Sequence, residues 1–287
     1  MTEPEQRVRV PSGYTWLGIH PGRLPEFVEA NGQLQGQHVL DSAPAIRAFV
    51  PSFEIDRYPV TRKQFLDWMG GLEISGLALV RENDRRYWDR FAASTIYPDD
   101  APIVKVTWEE AFLYCWSKGG RLPMESEWIR AVRGDSFVDG PWPEEATPRG
   151  YANWKPKVRV SPNAYRFLTP VTKYSKGATW CGAMDMMGNA SEFTSTPFLW
   201  SATKARQTRF RRRAADASLR REISYIGNDY VVMEVGFHLP ILCAGWRGAI
   251  EPYHSLEIEE ACRWSSIGFR CAYEWDDQYV PEPGHFL

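Results

Sequence analysis

Asp185 and Glu192 flank the turn Gly188-Asn189 in the stretch Gly182-Ala183-Met184-Asp185-Met186-Met187-Gly188-Asn189-Ala190-Ser191-Glu192-Phe193-Thr194. Two carboxylates, with backbone carbonyls freed by a tight turn, form the donor set that a hard, oxygen-seeking cation such as calcium requires. The same residues also suit a surface turn with solvated acids. A second chemical feature is Lys204-Ala205-Arg206-Gln207-Thr208-Arg209-Phe210-Arg211-Arg212-Arg213 and its continuation to Glu222. This stretch holds eight basic and two acidic residues, a local +6 in a chain of net charge -2. It reads either as a solvated face or as a docking element for an acidic partner, centred on Arg211, Arg212 and Arg213. Phe210 is its single aromatic residue, so stacking on a nucleic-acid strand is a weak reading.

Short strands, two clear helices and much loop must position these residues. Thr107 and Glu110 have capping-box spacing, Ala111, Phe112, Tyr114 and Cys115 give an apolar stripe, and Gly119-Gly120 stops the helix. A second helix runs from about Glu125 to Arg133, with Trp128, Ile129 and Val132 inward and Gly134 after it. Met124 at its cap offers no oxygen, a loss of about 1 kcal/mol unless something compensates. A shorter third helix follows Thr61, with Phe65, Leu66, Trp68 and Met69 inward, and Ile223–Tyr225 and Tyr230–Val235 read as strands. No sustained strand–helix alternation points to a parallel sheet. Long ordered loops need pinning, by ions or by many side-chain hydrogen bonds.

At 287 residues, with 13 Trp, 13 Tyr and 14 Phe, the chain can bury a sizeable core. The polar start Met1-Thr2-Glu3-Pro4 has no secretory character and no apolar run would span a membrane, so the expectation is a cytoplasmic protein with no membrane partner. Five cysteines, at 115, 181, 243, 262 and 271, include no C-x-x-C pair, and a reducing compartment would keep them as thiols.

Six blocks resemble, in order, the motifs of the formylglycine-generating enzyme (sulfatase-modifying factor) family. They are Arg9–Gly18, Phe53–Phe65, Pro102–Cys115, Arg121–Gly134, the Gly182–Thr194 segment (family pattern G-L-Y-D-M-x-G-N-V-W-E-W-T) and the closing Ile267-Gly268-Phe269-Arg270-Cys271-Ala272. The resemblance implies an α+β, formylglycine-generating-enzyme-like (C-type-lectin-like) fold, loop-rich, with short strands and two or three helices. It implies one domain over residues 1–287 with a basic insertion around 197–240. It also implies two calcium sites. One would use the Asp185 and Glu192 side chains and the Gly188 and Ala190 carbonyls, with Ser191 and Phe193 replacing two family tryptophans that pack rather than ligate. The other would use Asn153, the Trp154 carbonyl, Asn163 and the Tyr165 carbonyl. There Asn163 replaces the usual aspartate, so affinity should fall.

Copper-dependent members carry R-G-G-S-x-x-C-x-x-x-x-C, whose two thiolates hold Cu(I). With Ala244-Gly245 on the Gly-Gly pair, Ala249 and His254 occupy the cysteine positions. Glu251–His254 and Ala261–Arg270 also resemble the C-terminal end of ergothioneine-type sulfoxide synthases, but the five histidines (20, 38, 238, 254 and 285) show no H-x3-H spacing for iron. The expected function is therefore a non-canonical family member lacking the copper pair, which binds a ligand or a protein partner on a calcium-pinned scaffold. The alternative is a metal-dependent oxidoreductase acting on a thiol-containing peptide or metabolite. It would use His254, Cys262 and His238 as copper or iron ligands, and Trp246, Arg247 and Arg263 for substrate. Against those roles, Cys243 and Cys262 also suit buried small hydrophobes, and His238 and His254 also suit packing beside aromatic rings.

Overall fold

The computed structural model describes residues 6–17, 45–75, 82–94, 98–136, 150–153, 168–197, 231–234 and 267–275. The described order opens with strands β1 (Arg7–Val10) and β2 (Gly13–Leu17), followed by β3 (Ile46–Val50) and β4 (Phe53–Asp56). Helices α1 (Arg62–Ser75), α2 (Glu82–Ala92), α3 (Trp108–Ser117) and α4 (Glu125–Arg133) come next. Strands β5 (Ser191–Pro197), β6 (Val231–Glu234), β7 (Ile267–Gly268) and β8 (Ala272–Glu274) close the described order.

The strands form three small sheets, ordered β1-β4-β8, β2-β3 and β6-β5-β7. All pairings are antiparallel except β5 with β7, where Ser191 faces Ile267 and Glu192 faces Gly268. That parallel pair brings the acidic turn segment beside the closing Gly-Phe-Arg segment. It tolerates only glycine at 268, since a Cβ there would lie 2.1 Å from the Ile103 carbonyl oxygen.

Helices α1, α3 and α4 form where the sequence places them, but α1, expected to be the shorter one, runs to 14 residues, and Phe112 of the expected α3 stripe is exposed. Thr107 and Glu110 make a reciprocal capping box on α3, and Gly119, at φ +74°, ends it. On α4 the missing cap oxygen at Met124 is offset because Glu127 accepts the Met124 N–H at 2.7 Å. Arg121 holds that carboxylate with two hydrogen bonds of 2.7 Å. All of α4 except Ser126 is buried, not just one face, including Glu125, Glu127, Arg130 and Arg133. Helix α2 was not expected from the sequence. Its Trp88 and Phe91 join Phe65, Trp68, Tyr114 and Phe269 in an aromatic core, alongside the buried Cys115 and Cys271.

The connecting loops are pinned largely by buried arginines. Arg130 donates to the carbonyls of Pro11, Ser12 and Tyr14, and Arg133 donates to that of Trp16, so α4 clamps the β1–β2 turn. Arg62 caps the end of α2 through the carbonyls of Phe91, Ala92 and Ser94 and pairs with Asp99. A guanidinium carries five N–H donors in a fixed fork, which suits clusters of loop carbonyls that no ladder satisfies.

Candidate functional site

The Gly182–Thr194 segment is interior rather than a surface turn. Asp185 is 5 % exposed, Asn189 2 % and Glu192 1 %. Asp185 (φ 53°) and Asn189 (φ 63°) adopt left-handed backbone, at a cost of order 1–2 kcal/mol each for residues other than glycine. Gly188 shares that conformation at φ +85°, and a Cβ on it would stand 2.9 Å from the Asn153 carbonyl oxygen.

Asn189 holds the turn together. Its Oδ1 accepts from Asn153 Nδ2 and from the Thr169 N–H, both at 3.0 Å. Its Nδ2 donates to the Thr169 carbonyl at 3.0 Å and to Asp185 Oδ2 at 2.8 Å. All four of its hydrogen-bonding positions are thus used. Asn153, expected at a separate cation site, is therefore coupled through Asn189 to the Asp185 turn.

The two carboxylates differ sharply. Glu192 receives Arg270 Nε at 2.6 Å and Arg270 Nη2 at 2.7 Å, a bidentate buried ion pair, and Trp128 Nε1 adds a third bond at 2.9 Å. Arg270 is fully buried and also donates to the carbonyls of Asp56, Arg57 and Met184. From between β7 and β8 it ties that segment to the end of β4, the acidic turn and β5, and so holds the core together. Asp185 has no such cation in contact, and its Oδ1 is buried without a hydrogen-bond donor. Burial pushes its carboxyl up to about 7, with the nearby Glu192 charge adding to the rise while the Asn189 hydrogen bond and Arg270 oppose it. Together Asp185, Glu192 and Arg270 carry a net negative charge when both acids are ionised.

Sequence reasoning missed Asp56. Burial pushes its carboxyl up to about 6 against the opposing Cys271 N–H and Arg270. The available signal was an acid ending an otherwise alternating strand, Phe53-Glu54-Ile55-Asp56. Of the expected site residues, Asp185, Gly188, Ala190, Glu192 and Asn153 are brought together. Trp154, Asn163, Tyr165, Arg211, Arg212, Arg213, His238, Trp246, Arg247, His254, Cys262 and Arg263 lie outside the described residues. So does the expected strand Ile223–Tyr225, whereas β6 falls within the expected Tyr230–Val235. Among the described residues no group of three His, Cys, Asp or Glu side chains converges, and no helix is long and apolar enough to cross a membrane.

The chain is similar to hercynine oxygenase of Mycolicibacterium thermoresistibile, 30% identical over 183 residues that cover 54% of this chain and 38% of that protein. It thus spans well under half of that relative's length. It is also similar to the inactive C-alpha-formylglycine-generating enzyme 2 of Bos taurus, 26% identical over 228 residues, covering 64% of this chain and 74% of that protein. Its fold matches the structure of PvdO from Pseudomonas aeruginosa with a TM-score of 0.55 at 20% identity, over 94% of each chain. A family profile, sulfatase-modifying factor enzyme 1-like domain, matches residues 2–275, and the chain belongs to that family.

Proposed function

We propose that this chain is a binding scaffold of its family, held by a structural calcium ion at the Asp185 turn, without the copper chemistry of the oxidising members. One observation carries the reading. Where those members present two thiolates, this chain presents Ala249, which has no donor, and His254. That donor set does not fit the Cu(I) pair. The similarity to a relative named as inactive supports the same reading.

Calcium fits the turn. Asp185 Oδ1 faces no donor, the local charge is net negative, and Glu192 Oε1 keeps a lone pair beyond its bond to Arg270. Asp185, Glu192 and the Gly188 and Ala190 carbonyls would hold the ion, which would neutralise a buried charge rather than take part in chemistry. Asn153 with Trp154, Asn163 and Tyr165 would form a weaker second site.

The test is elemental analysis of protein reconstituted separately with Cu(I), Fe(II) and Ca(II), combined with oxygen-uptake assays on a cysteine-containing peptide and on free cysteine. The scaffold reading expects calcium alone and no thiol-dependent oxygen uptake. About one copper or iron per chain with such uptake would instead establish the oxidoreductase reading. His254, Cys262 and His238 would then be tested as ligands, and Trp246, Arg247 and Arg263 as substrate contacts.

The basic stretch 204–222 favours a second role for the scaffold, docking an acidic protein partner. The triple change Arg211→Ser, Arg212→Ser, Arg213→Ser should abolish complex formation while leaving the melting temperature unchanged. An unaltered complex would remove this role.

A further inference from the structure

A cavity of about 760 Å³ opens between the β1-β4-β8 sheet and helices α1 and α3. Its size suits a small-molecule ligand, and it is distinct from the cation turn. Asp56 lines it, as do the aromatic rings of Trp68, Tyr114 and Tyr273. Asp56 Oδ1 accepts from the Tyr273 hydroxyl at 3.2 Å, and Oδ2 accepts from the Cys271 N–H at 3.0 Å. A carboxylate accepts about four bonds, so each oxygen keeps capacity for another donor. The Tyr114 phenol lies close enough to feel the Asp56 charge, and Trp68 meets Tyr114 edge-on at 5.3 Å.

Two cations border the same cavity. Lys118 is exposed at the end of α3, 5.7 Å from the Tyr114 ring centroid, with no acid partner among the described residues. Arg7 lies 3.5 Å over the Tyr273 ring and only 3.9 Å from the Glu54 carboxylate, a loose pairing. The other charged pair at the rim, Lys63 with Asp67, is closed on itself at 2.7 Å. A carboxylate beside aromatic faces suits an organic ammonium. At the mouth, Lys118 and the loosely paired Arg7 suit a carboxylate.

We propose that this cavity binds a free α-amino acid with an apolar side chain, its ammonium on Asp56 and its carboxylate between Lys118 and Arg7. The side chain lies against Trp68 and Tyr114. This deepens the scaffold reading by naming a ligand class, and binding here needs neither the calcium ion nor a redox metal.

The test is isothermal titration at neutral pH with three probes: L-phenylalanine, phenethylamine (no carboxylate) and 3-phenylpropionate (no ammonium). L-phenylalanine should bind, and each single-charge analogue should bind at least about tenfold more weakly. Lys118→Ala, an exposed change, should weaken L-phenylalanine and leave phenethylamine unaffected. Asp56→Asn should weaken L-phenylalanine and phenethylamine but not 3-phenylpropionate, and its circular dichroism must match wild type for the comparison to count. If that variant does not fold, the Lys118→Ala result decides. No binding of L-phenylalanine at millimolar concentration, equal binding of all three probes, or indifference to Lys118→Ala would overturn the proposal. Thiol-dependent oxygen uptake would sink the scaffold reading but not this site, so the two failures are distinguishable.

Discussion

Glu192 and Asp185 sit in one buried segment and both interact with Arg270, yet their partners differ. Glu192 lies in a bidentate ion pair with Arg270 and takes a third hydrogen bond from Trp128. Asp185 keeps an oxygen that faces no donor, and its carboxyl is held near neutrality by burial. Residue type therefore does not decide which acid is architectural and which is open to a ligand. The partner does, and here the partner arrives from the segment between β7 and β8, about eighty residues along the chain. The same contrast runs through the rest of the molecule. Arg62, Arg130 and Arg133 satisfy loop carbonyls, whereas Lys118 and Asp56 face a cavity with capacity to spare.

The largest effect should come from breaking the satisfied side. Arg270→Met leaves Glu192 buried without its cation and three loop carbonyls without their donor. It should cost about 3–5 kcal/mol by urea denaturation, or prevent folding. Restoring a double apolar pair with Glu192→Leu should recover part of that loss, and no recovery would show that the carbonyl contacts dominate.

Gly188→Ala comes next. Positive φ and the close Asn153 oxygen should together make it cost about 1–3 kcal/mol, and it should uncouple Asn153 from the turn.

The open side predicts a pH dependence. The Asp185 pKa is raised from 3.8 to about 7 on folding, so the folded state binds the proton more tightly than the unfolded state. Without metal, stability should then fall as pH rises from about 4 to about 7 and level off above, by a few kcal/mol at most. Asp56, raised to about 6, adds a slope of the same sign ending about one unit lower. Asp185→Asn should flatten the upper part of the curve, leaving the Asp56 part in place. The smallest change is Thr107→Ala, which removes half of the α3 capping box and should cost about 1 kcal/mol.

Local features were the legible ones. The α3 capping box, the glycines closing α3 and α4, and the inward residues of α1 follow from spacing alone. The resemblance further placed the acidic turn and the Gly-Phe-Arg segment. Helix α2 escaped because Glu-Asn-Asp-Arg-Arg precedes its few apolar residues and leaves it polar on average, although Tyr87, Trp88 and Phe91 fall on one face and pack into the aromatic core. The arginine clamps escaped because their acceptors are carbonyls distant in sequence; Arg130 reaches back 119 residues to Pro11. The state of each acid in the turn was also out of reach, since it depends on which carboxylate Arg270 meets. Asp56 was readable only as the outward end of a strand, because the cavity it lines is assembled from β1, β4, β8, α1 and α3.

The most direct test is the melting temperature of metal-free wild type and Asp185→Asn at pH 8, each with and without calcium. Calcium should raise the wild-type value clearly, and by less at pH 5, where the Asp185 carboxyl is protonated. It should leave Asp185→Asn nearly unmoved. A wild type indifferent to calcium at pH 8, or an Asp185→Asn variant stabilised as much as wild type, would contradict the account of Asp185 as the open, cation-seeking member of the pair.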